Sequence, residues 1–206
     1  MINIFFGIIA FLGYCAINKL MGQNKNIVSQ TSGPRIFNFL FSDTRVSLFW
    51  FIVRVYVGWE WLSAGIEKVS GASSEKWVGD QAGVAVKGFL MGALAKTSGA
   101  HPDVQAWYAA FIKNFAINHV VGFSYTVAWG EVLVGVALIL GALTGVAAFF
   151  GAFMNLNYLL SGTVSVNPQL FVLQIFLISA WRVSGWIGFD RFILPIIGSL
   201  FGKKKR

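Results

Sequence analysis

Long apolar runs separated by short polar segments dominate the chain, and they predict helices. Residues 47–66 are apolar with few charges, and a run of about 20 residues can cross a hydrocarbon core of about 30 Å. Residues 120–160 contain one ionisable group, and the GALTG turn at 141–145 divides them into two more spans. A fourth span begins near Phe171, after Pro168, which suits the first turn of a helix. The pattern therefore predicts an antiparallel four-helix transmembrane bundle.

The segments that flank this bundle differ in character. Residues 1–20 are largely apolar with no charge ahead of the apolar run, unlike a secretory signal, and predict an N-terminal transmembrane helix; a short retained anchor is the alternative. Residues 21–45 form a basic linker, and residues 199–206 end in the basic tail KKKR. Basic residues beside spans mark the cytoplasmic side, so both segments are expected there, with a cytoplasmic C-terminus.

Residues 69–118 are too polar and too interrupted to span, and they predict an outer loop with its own helix. Pro102 suits the first turn of that helix and Asp103 suits its positive end. The loop is either a lid or binding loop or a scaffold cap. The amphipathic face repeats at i, i+3, i+4, i+7, i+8 and i+11, on Val104, Trp107, Tyr108, Phe111, Ile112 and Phe115.

Composition agrees with a multi-pass membrane protein. Hydrophobic residues make up 56% of the chain and charged residues 12%, against roughly 25% charged in soluble domains. The net charge of +8 lies mainly beside the apolar segments, which favours contact with lipid and argues against nucleic acid. The fold class is therefore all-α, with a membrane domain at 46–198 that includes the outer loop.

The cofactor-binding residue types are scarce. Cys15 is the single cysteine, which excludes an internal disulfide and a cysteine-rich metal site. The two histidines, His101 and His119, lie in or beside the outer loop, which disfavours a bis-histidine haem. We therefore expect no metal and no covalently bound cofactor, and any redox chemistry would use a diffusible carrier such as quinone or a partner subunit.

Two opposite charges are predicted deep in the membrane. Arg54 lies nine residues beyond Arg45, and Glu131 lies twelve residues beyond His119, which brings both toward the midplane from opposite sides. An unpaired charge there would be costly, so we predict that Arg54 and Glu131 pair directly or through one side chain. Such a pair either fixes helix register or forms a polar pocket for an anion, a proton or a quinone head group.

Three groups of residues are candidates for a site. Lys68 and Lys113 would meet an anion at the outer mouth, and Trp61 and Trp129 would line a quinone cleft. For these aromatic residues, anchoring at the membrane surface and helix packing are the alternative role. The intramembrane polar pocket would comprise Arg54, Glu60, Glu131, Asn155 and Tyr158.

Several motifs together resemble the DoxX/DoxD family over roughly residues 45–198. They are RVYVGWEWLSAGIEKV from Arg54, GFLMGALAKTSGAHPDVQAWYAAF from Gly88, GEVLVGVALILGALTGVAAFFGAFMNLNYLLSGTVSVNP from Gly130, and AWRVSGWIGFDRFILP from Ala180. The resemblance is to a family of small bacterial and archaeal membrane proteins, and it implies a four-helix fold in the plasma membrane of a prokaryote. The DoxD branch is similar to a subunit of thiosulfate:quinone oxidoreductase, which joins two thiosulfates into tetrathionate and passes electrons to quinone. The family's Arg–Gly–Gly–Lys pattern corresponds to Arg54, Gly58, Gly65 and Lys68 here, and its Gly–Glu pair to Gly130 and Glu131.

Three functions remain open on these grounds. The first is a quinone-linked oxidoreductase component of the thiosulfate:quinone type. The second is a non-catalytic membrane subunit that anchors or organises a larger redox or respiratory complex, with partner membrane or extracytoplasmic subunits or as a homo-oligomer. The third is a small transporter, which the scarcity of polar residues toward the cytoplasmic half disfavours.

Overall fold

The computed structural model describes residues 34–201, and the described part contains helices and no strand. The predicted N-terminal helix and residues 202–206 of the tail predicted at 199–206 lie outside the described residues. The chain divides into one unit of residues 1–38 and another of residues 39–206. Two 3-10 turns, Thr44–Val46 and Ala116–His119, join longer helices. The α-helices are α1 Arg35–Ser42, α2 Ser47–Ser70, α3 Ser74–Trp77, α4 Val84–Leu94, α5 Ala106–Asn114, α6 Val120–Leu140, α7 Thr144–Leu160, α8 Asn167–Ser179, α9 Trp181–Ser184 and α10 Asp190–Phe201.

Helices α2 and α6 form a close antiparallel pair, because glycine lets their backbones approach. A Cβ on Gly58 would lie 3.0 Å from the backbone nitrogen of Ile139, and one on Gly65 would lie 2.6 Å from that of Val132. From the other side, a Cβ on Gly135 would lie 2.5 Å from the nitrogen of Leu62. Residue numbers rise along one helix as they fall along the other, which fixes both the direction and the register of the pair.

The turn between α6 and α7 is tied to the start of α10. Gly141 and Leu143 both take left-handed φ angles, +67° and +51°, which reverse the chain within three residues. Asp190 then caps α7, since its carboxylate accepts hydrogen bonds from the backbone N–H groups of Leu143 at 2.5 Å and Thr144 at 2.9 Å. The turn predicted at 141–145 is confirmed, and α8 carries Pro168 in its first turn as predicted.

The predicted outer loop is itself helical and packs on the ends of α6 and α7. Tyr108 on α5 donates a hydrogen bond to the side-chain oxygen of Asn157 at 3.1 Å. Lys96 donates to the carbonyl of Gly162 at 2.7 Å. The amphipathic helix is present, but its predicted start at Pro102 is wrong. The helix begins at Ala106, and Val104 is buried ahead of it.

The distribution of polarity across the helices is that of a protein whose surroundings are apolar. Large apolar side chains face outward on four helices, while Arg54, Glu131, Asn155 and Gln174 are at most 1% exposed. By length and composition, the helical stretch Ala106–Leu140 can cross a membrane, and Arg35–Ser42 with Thr44–Ser70 can do so if this bent pair is one span. Helices α7 and α8 are shorter, so the four-span topology stays a prediction. The outward side chains include Leu48, Ile52, Trp59, Val121, Leu133, Phe149, Phe153, Val172 and Ile175.

Candidate functional site

A buried carboxylate joins three helices at the centre of the candidate site. Glu131 on α6 lies against Lys68 at the end of α2, with 2.7 Å between the Lys68 Nζ and the Glu131 Oε2. Tyr158 on α7 donates a hydrogen bond of 2.6 Å to the Glu131 Oε1. The Glu131 side chain is 2% exposed and that of Lys68 is 17% exposed. The three groups form a chain of proton-holding atoms that begins near the surface and ends inside the protein.

Aromatic rings enclose this cluster. Trp61 stacks on Tyr158 with 6.5 Å between ring centroids, and Phe89 of α4 meets the Tyr158 ring edge-on at 5.8 Å. The Lys68 Nζ lies 5.1 Å from the centre of the Trp77 ring, a distance that supports a cation–π contact. Trp77 lies on α3 and Phe89 lies on α4, so the helices within residues 69–118, the predicted outer loop, also contribute to the site.

The predicted pairing of Arg54 with Glu131 is wrong. Arg54 donates hydrogen bonds to the carbonyls of Leu138, Ile139 at 3.2 Å and Ile187 at 2.7 Å, and so caps the C-terminal end of α6. Asp190 is its attractive countercharge. Because α2 and α6 are antiparallel in a fixed register, Arg54 faces the last turn of α6, whereas Glu131 faces Gly65. Depths counted separately from Arg45 and His119 could not reveal that register.

Lys68 is consequently not free to meet an external anion by itself. Its ammonium group is neutralised by Glu131 and also donates to the carbonyl of Ala64 at 3.2 Å. Lys113 is exposed on α5 and forms no ion pair with a described residue. The two lysines therefore lie in different environments. Lys68 was predicted at the outer mouth but belongs to the polar pocket, where it pairs with Glu131.

A second polar group lies one turn away, between α7 and α8. Asn155 donates a hydrogen bond of 2.7 Å to the side-chain oxygen of Gln174, and both residues are fully buried. The indole N–H of Trp61, the Gln174 Nε2 and the Asn155 Oδ1 have no hydrogen-bond partner among the described residues. The bare backbone of Gly151 accommodates the Gln174 and Trp61 side chains, since a Cβ there would lie 3.1 Å from the Trp61 Nε1.

Two predicted site residues remain outside these groups. Glu60 is half-buried on α2 and has no hydrogen bond or ion pair within residues 34–201. Trp129 is 48% exposed on α6 and makes no ring contact with the described residues of the cluster, so it suits lipid contact better than a cleft wall. The structure thus brings Lys68, Trp61, Glu131 and Tyr158 together and places Asn155 in the neighbouring group with Gln174. Glu60, Trp129, Lys113 and Arg54 lie elsewhere.

The sequence reasoning missed Gln174, Phe89 and Asp190 as contributors. A glutamine within the last apolar run was the available signal for Gln174, since buried amides in a span bond across helices. The available signal for Asp190 was an acid among Trp, Phe and Ile, since a charge in such surroundings needs a buried partner. Residues 34–201 contain no group of three side chains able to hold a metal ion.

The comparisons with known proteins return a family and no individual relative. The DoxX family profile matches residues 49–162, more than half of the chain. This match contains α2 to α7, and with them Lys68, Glu131 and Tyr158, but it ends before α8 and so is narrower than the resemblance at 45–198. No curated protein and no solved structure matches. Since the match extends over every helix that supplies the charged cluster, the chain belongs to the DoxX family of membrane proteins.

Proposed function

We propose that this protein is a quinone-linked component of a membrane redox system, in which the Lys68–Glu131–Tyr158 cluster exchanges protons with the quinone head group. The observation that carries the proposal is a buried carboxylate that accepts a hydrogen bond from a phenol and forms an ion pair with an ammonium group. Ionisable groups inside membrane proteins are expensive and mark proton or substrate sites.

The chemistry of quinone reduction needs such a cluster. A quinone takes up two electrons and two protons to become a quinol, and protons must reach a head group that lies away from water. In the proposed relay, Tyr158 donates its O–H proton to the reduced head group and takes a replacement from Glu131. Glu131 in turn takes a proton from the partly exposed Lys68, which is reprotonated from the surface. The electrons come from a donor that binds outside the cluster. In the thiosulfate version, two thiosulfate anions lose two electrons and form one tetrathionate.

The surroundings of the cluster also suit a quinone. Ligand sites are mostly apolar, with a small number of placed polar groups. Trp61 and Phe89 supply flat apolar surface beside the Tyr158 hydroxyl, within contact of its ring. A quinone ring with two carbonyl oxygens fits this combination better than a free anion does, because the Lys68 charge is already neutralised by Glu131.

A binding and turnover experiment tests the proposal. The full chain, purified in a neutral detergent, is titrated with a short-chain ubiquinone, and quenching of tryptophan fluorescence reports binding. Thiosulfate is then added, and quinol formation is followed by absorbance. We expect Tyr158→Phe and Glu131→Gln to weaken quinone binding or slow quinol formation by at least tenfold.

Tyr125→Phe is the matched control. Tyr125 is a tyrosine of α6 whose hydroxyl bonds to the carbonyl of Val78 at 2.9 Å, outside the cluster. If Tyr158→Phe and Glu131→Gln behave like Tyr125→Phe in binding and in turnover, the quinone assignment fails. Quinone binding without turnover on thiosulfate would keep the site and exclude thiosulfate as the direct donor.

A non-catalytic anchoring subunit is the second candidate, and one observation favours it. Both deep charges are satisfied within the protein, Arg54 by carbonyl groups and Glu131 by Lys68 and Tyr158, as expected for groups that hold helices in register. Mild solubilisation of the native membrane followed by affinity purification separates the two functions. Stable partner subunits together with no quinone binding would favour the anchor.

A further inference from the structure

A cavity of about 360 Å³ lies at the start of α7, against α8, α9 and α10. Its walls are largely apolar, from Val146, Ile178, Trp181 and Leu194. Thr144, also on its lining, is fully buried, and its hydroxyl has no partner among the described residues. A volume of this size lies within the range of ligand sites, and the free hydroxyl gives an otherwise apolar space one hydrogen-bonding group. We call it the α7 cavity.

Two arginines follow directly after residues that line the α7 cavity. Arg182 succeeds Trp181 and stacks on its ring at 4.9 Å, and Arg191 succeeds Asp190 and stacks on Trp186 at 5.4 Å. Both arginines are exposed. Stacking holds each guanidinium group near its ring and leaves its N–H groups available for an acceptor.

No acidic side chain within residues 34–201 pairs with these arginines. All eight acidic residues lie within the described part. Asp190 is used as the cap of α7, and Asp43 pairs with Arg45 at 2.6 Å. The other six occupy positions 60–131, and neither Arg182 nor Arg191 forms an ion pair with a described residue. This end of the unit therefore presents uncompensated positive charge beside an apolar cavity.

Helix α10 adds an exposed apolar face to the same end. Phe192 is 64% exposed and Ile196 is 61% exposed, while Trp181 and Trp186 are 36% and 44% exposed. Tryptophan beside arginine is typical of the boundary between lipid tails and head groups. An amphipathic helix with such a face lies in the plane of that boundary.

We propose that the α7 cavity and its two arginines form a binding site for an anionic phospholipid. The phosphate binds to Arg182 and Arg191, and the upper part of an acyl chain enters the cavity. The Thr144 hydroxyl donates a hydrogen bond to an ester carbonyl of the lipid. The charge pattern selects the occupant, since a zwitterionic lipid would bring a cation against two arginines.

Native mass spectrometry of the full chain in a neutral detergent tests this site. The protein is titrated with phosphatidylglycerol or with phosphatidylcholine of the same chain length. We expect one phosphatidylglycerol to bind with a clear preference over phosphatidylcholine. One charge near a lipid head group contributes about fivefold in affinity, so Arg182→Gln and Arg191→Gln should each weaken binding about fivefold and together roughly 30-fold.

Lys87→Gln with Lys113→Gln is the charge-matched control, because both lysines lie on the helices of the loop, α4 and α5. This control should retain the preference for phosphatidylglycerol. Equal binding of the two lipids by the unaltered protein overturns the proposal, as does an arginine variant that binds like the control. Competition by inorganic phosphate or by glycerophosphoglycerol as strong as that by the intact lipid would show a simple anion site and overturn the lipid assignment. If the double arginine variant is not monodisperse, the two single variants and the lipid preference decide the question.

Discussion

The close contact of α2 with α6 gives a sharp test of the fold at Gly135. A Cβ at this position would lie 2.6 Å from the Leu62 Cα, and ordinary contact begins at 3.4 Å, so Gly135→Ala requires the α2 backbone to retreat by about 0.8 Å. Backbone cannot give way as a flexible side chain can. Overpacking of this kind typically costs 1–3 kcal/mol, and we expect Gly135→Ala to lower the free energy of unfolding by about 2 kcal/mol.

Two other glycines of α6 provide matched controls. A Cβ on Gly122 would meet nothing within 4 Å, and one on Gly130 would lie 3.5 Å from the Met154 sulfur, an ordinary contact. Gly122→Ala and Gly130→Ala should therefore leave stability unchanged or raise it by about 0.5–1 kcal/mol, because alanine favours helix over glycine. Unfolding in mixed micelles of increasing dodecyl sulfate content, followed by far-UV circular dichroism, measures all three. Equal midpoints for Gly135→Ala and Gly122→Ala would refute the antiparallel register described above.

Three further predictions follow from individual contacts. Lys68→Met leaves the Glu131 carboxylate buried without its cation and should lower the free energy of unfolding by roughly 2–3 kcal/mol. Lys68→Met combined with Glu131→Leu should recover much of this loss. Additive effects of the two changes in the same dodecyl sulfate titration would show that the pair is not coupled. Asp190→Ala removes the cap of α7 and should lower the free energy of unfolding by about 2 kcal/mol, whereas Asp80→Ala on the surface should change it little. Equal decreases in stability for the two variants in thermal unfolding would contradict the capping role. The hydrogen bonds and charge of Arg45 lower the pKa of Asp43. The ion pair therefore stabilises the turn fully above the ordinary pKa of an aspartate, and this stability is lost as the pH falls through the lowered pKa. A carbon-detected NMR titration should show a higher pKa of Asp43 in Arg45→Gln, and an unchanged pKa would contradict the assignment.

The sequence was sufficient for the helices but not for their pairing. Apolar runs and small turn residues located α2, α6 and α7, because these signals are local. The partner of Arg54 depends on which turn of α6 lies opposite, and that register is fixed by Gly58, Gly65 and Gly135, whose close contacts no single helix reveals. The sequence supplied charge and depth, from which only a general tendency to pair follows.

The site was predicted in part for the same reason. Glu131 and Tyr158 were assigned to one pocket because each was polar in an apolar run. Phe89 and Trp77 could not be added, since their loop folds back onto the bundle only through contacts of high sequence separation, such as Ser124 with the Trp77 carbonyl at 2.6 Å. Gln174 completes a pair with Asn155 across two helices, and neither residue alone indicates the other.

The two charged contacts of α2 also bear on how the protein is made. Arg54 and Lys68 lie fourteen positions apart, about 21 Å along the helix. Arg54 donates to the carbonyl of Ile139 in the last turn of α6, and Lys68 pairs with Glu131 in the middle of the same helix. Synthesis delivers α2 first, and roughly fifty residues follow before α6 begins. During that interval α2 carries two cations without the groups that pair with them, which makes its insertion into lipid unfavourable. We therefore expect stable insertion of α2 to depend on the synthesis of α6, which supplies the Glu131 carboxylate and the helix end that these two cations contact.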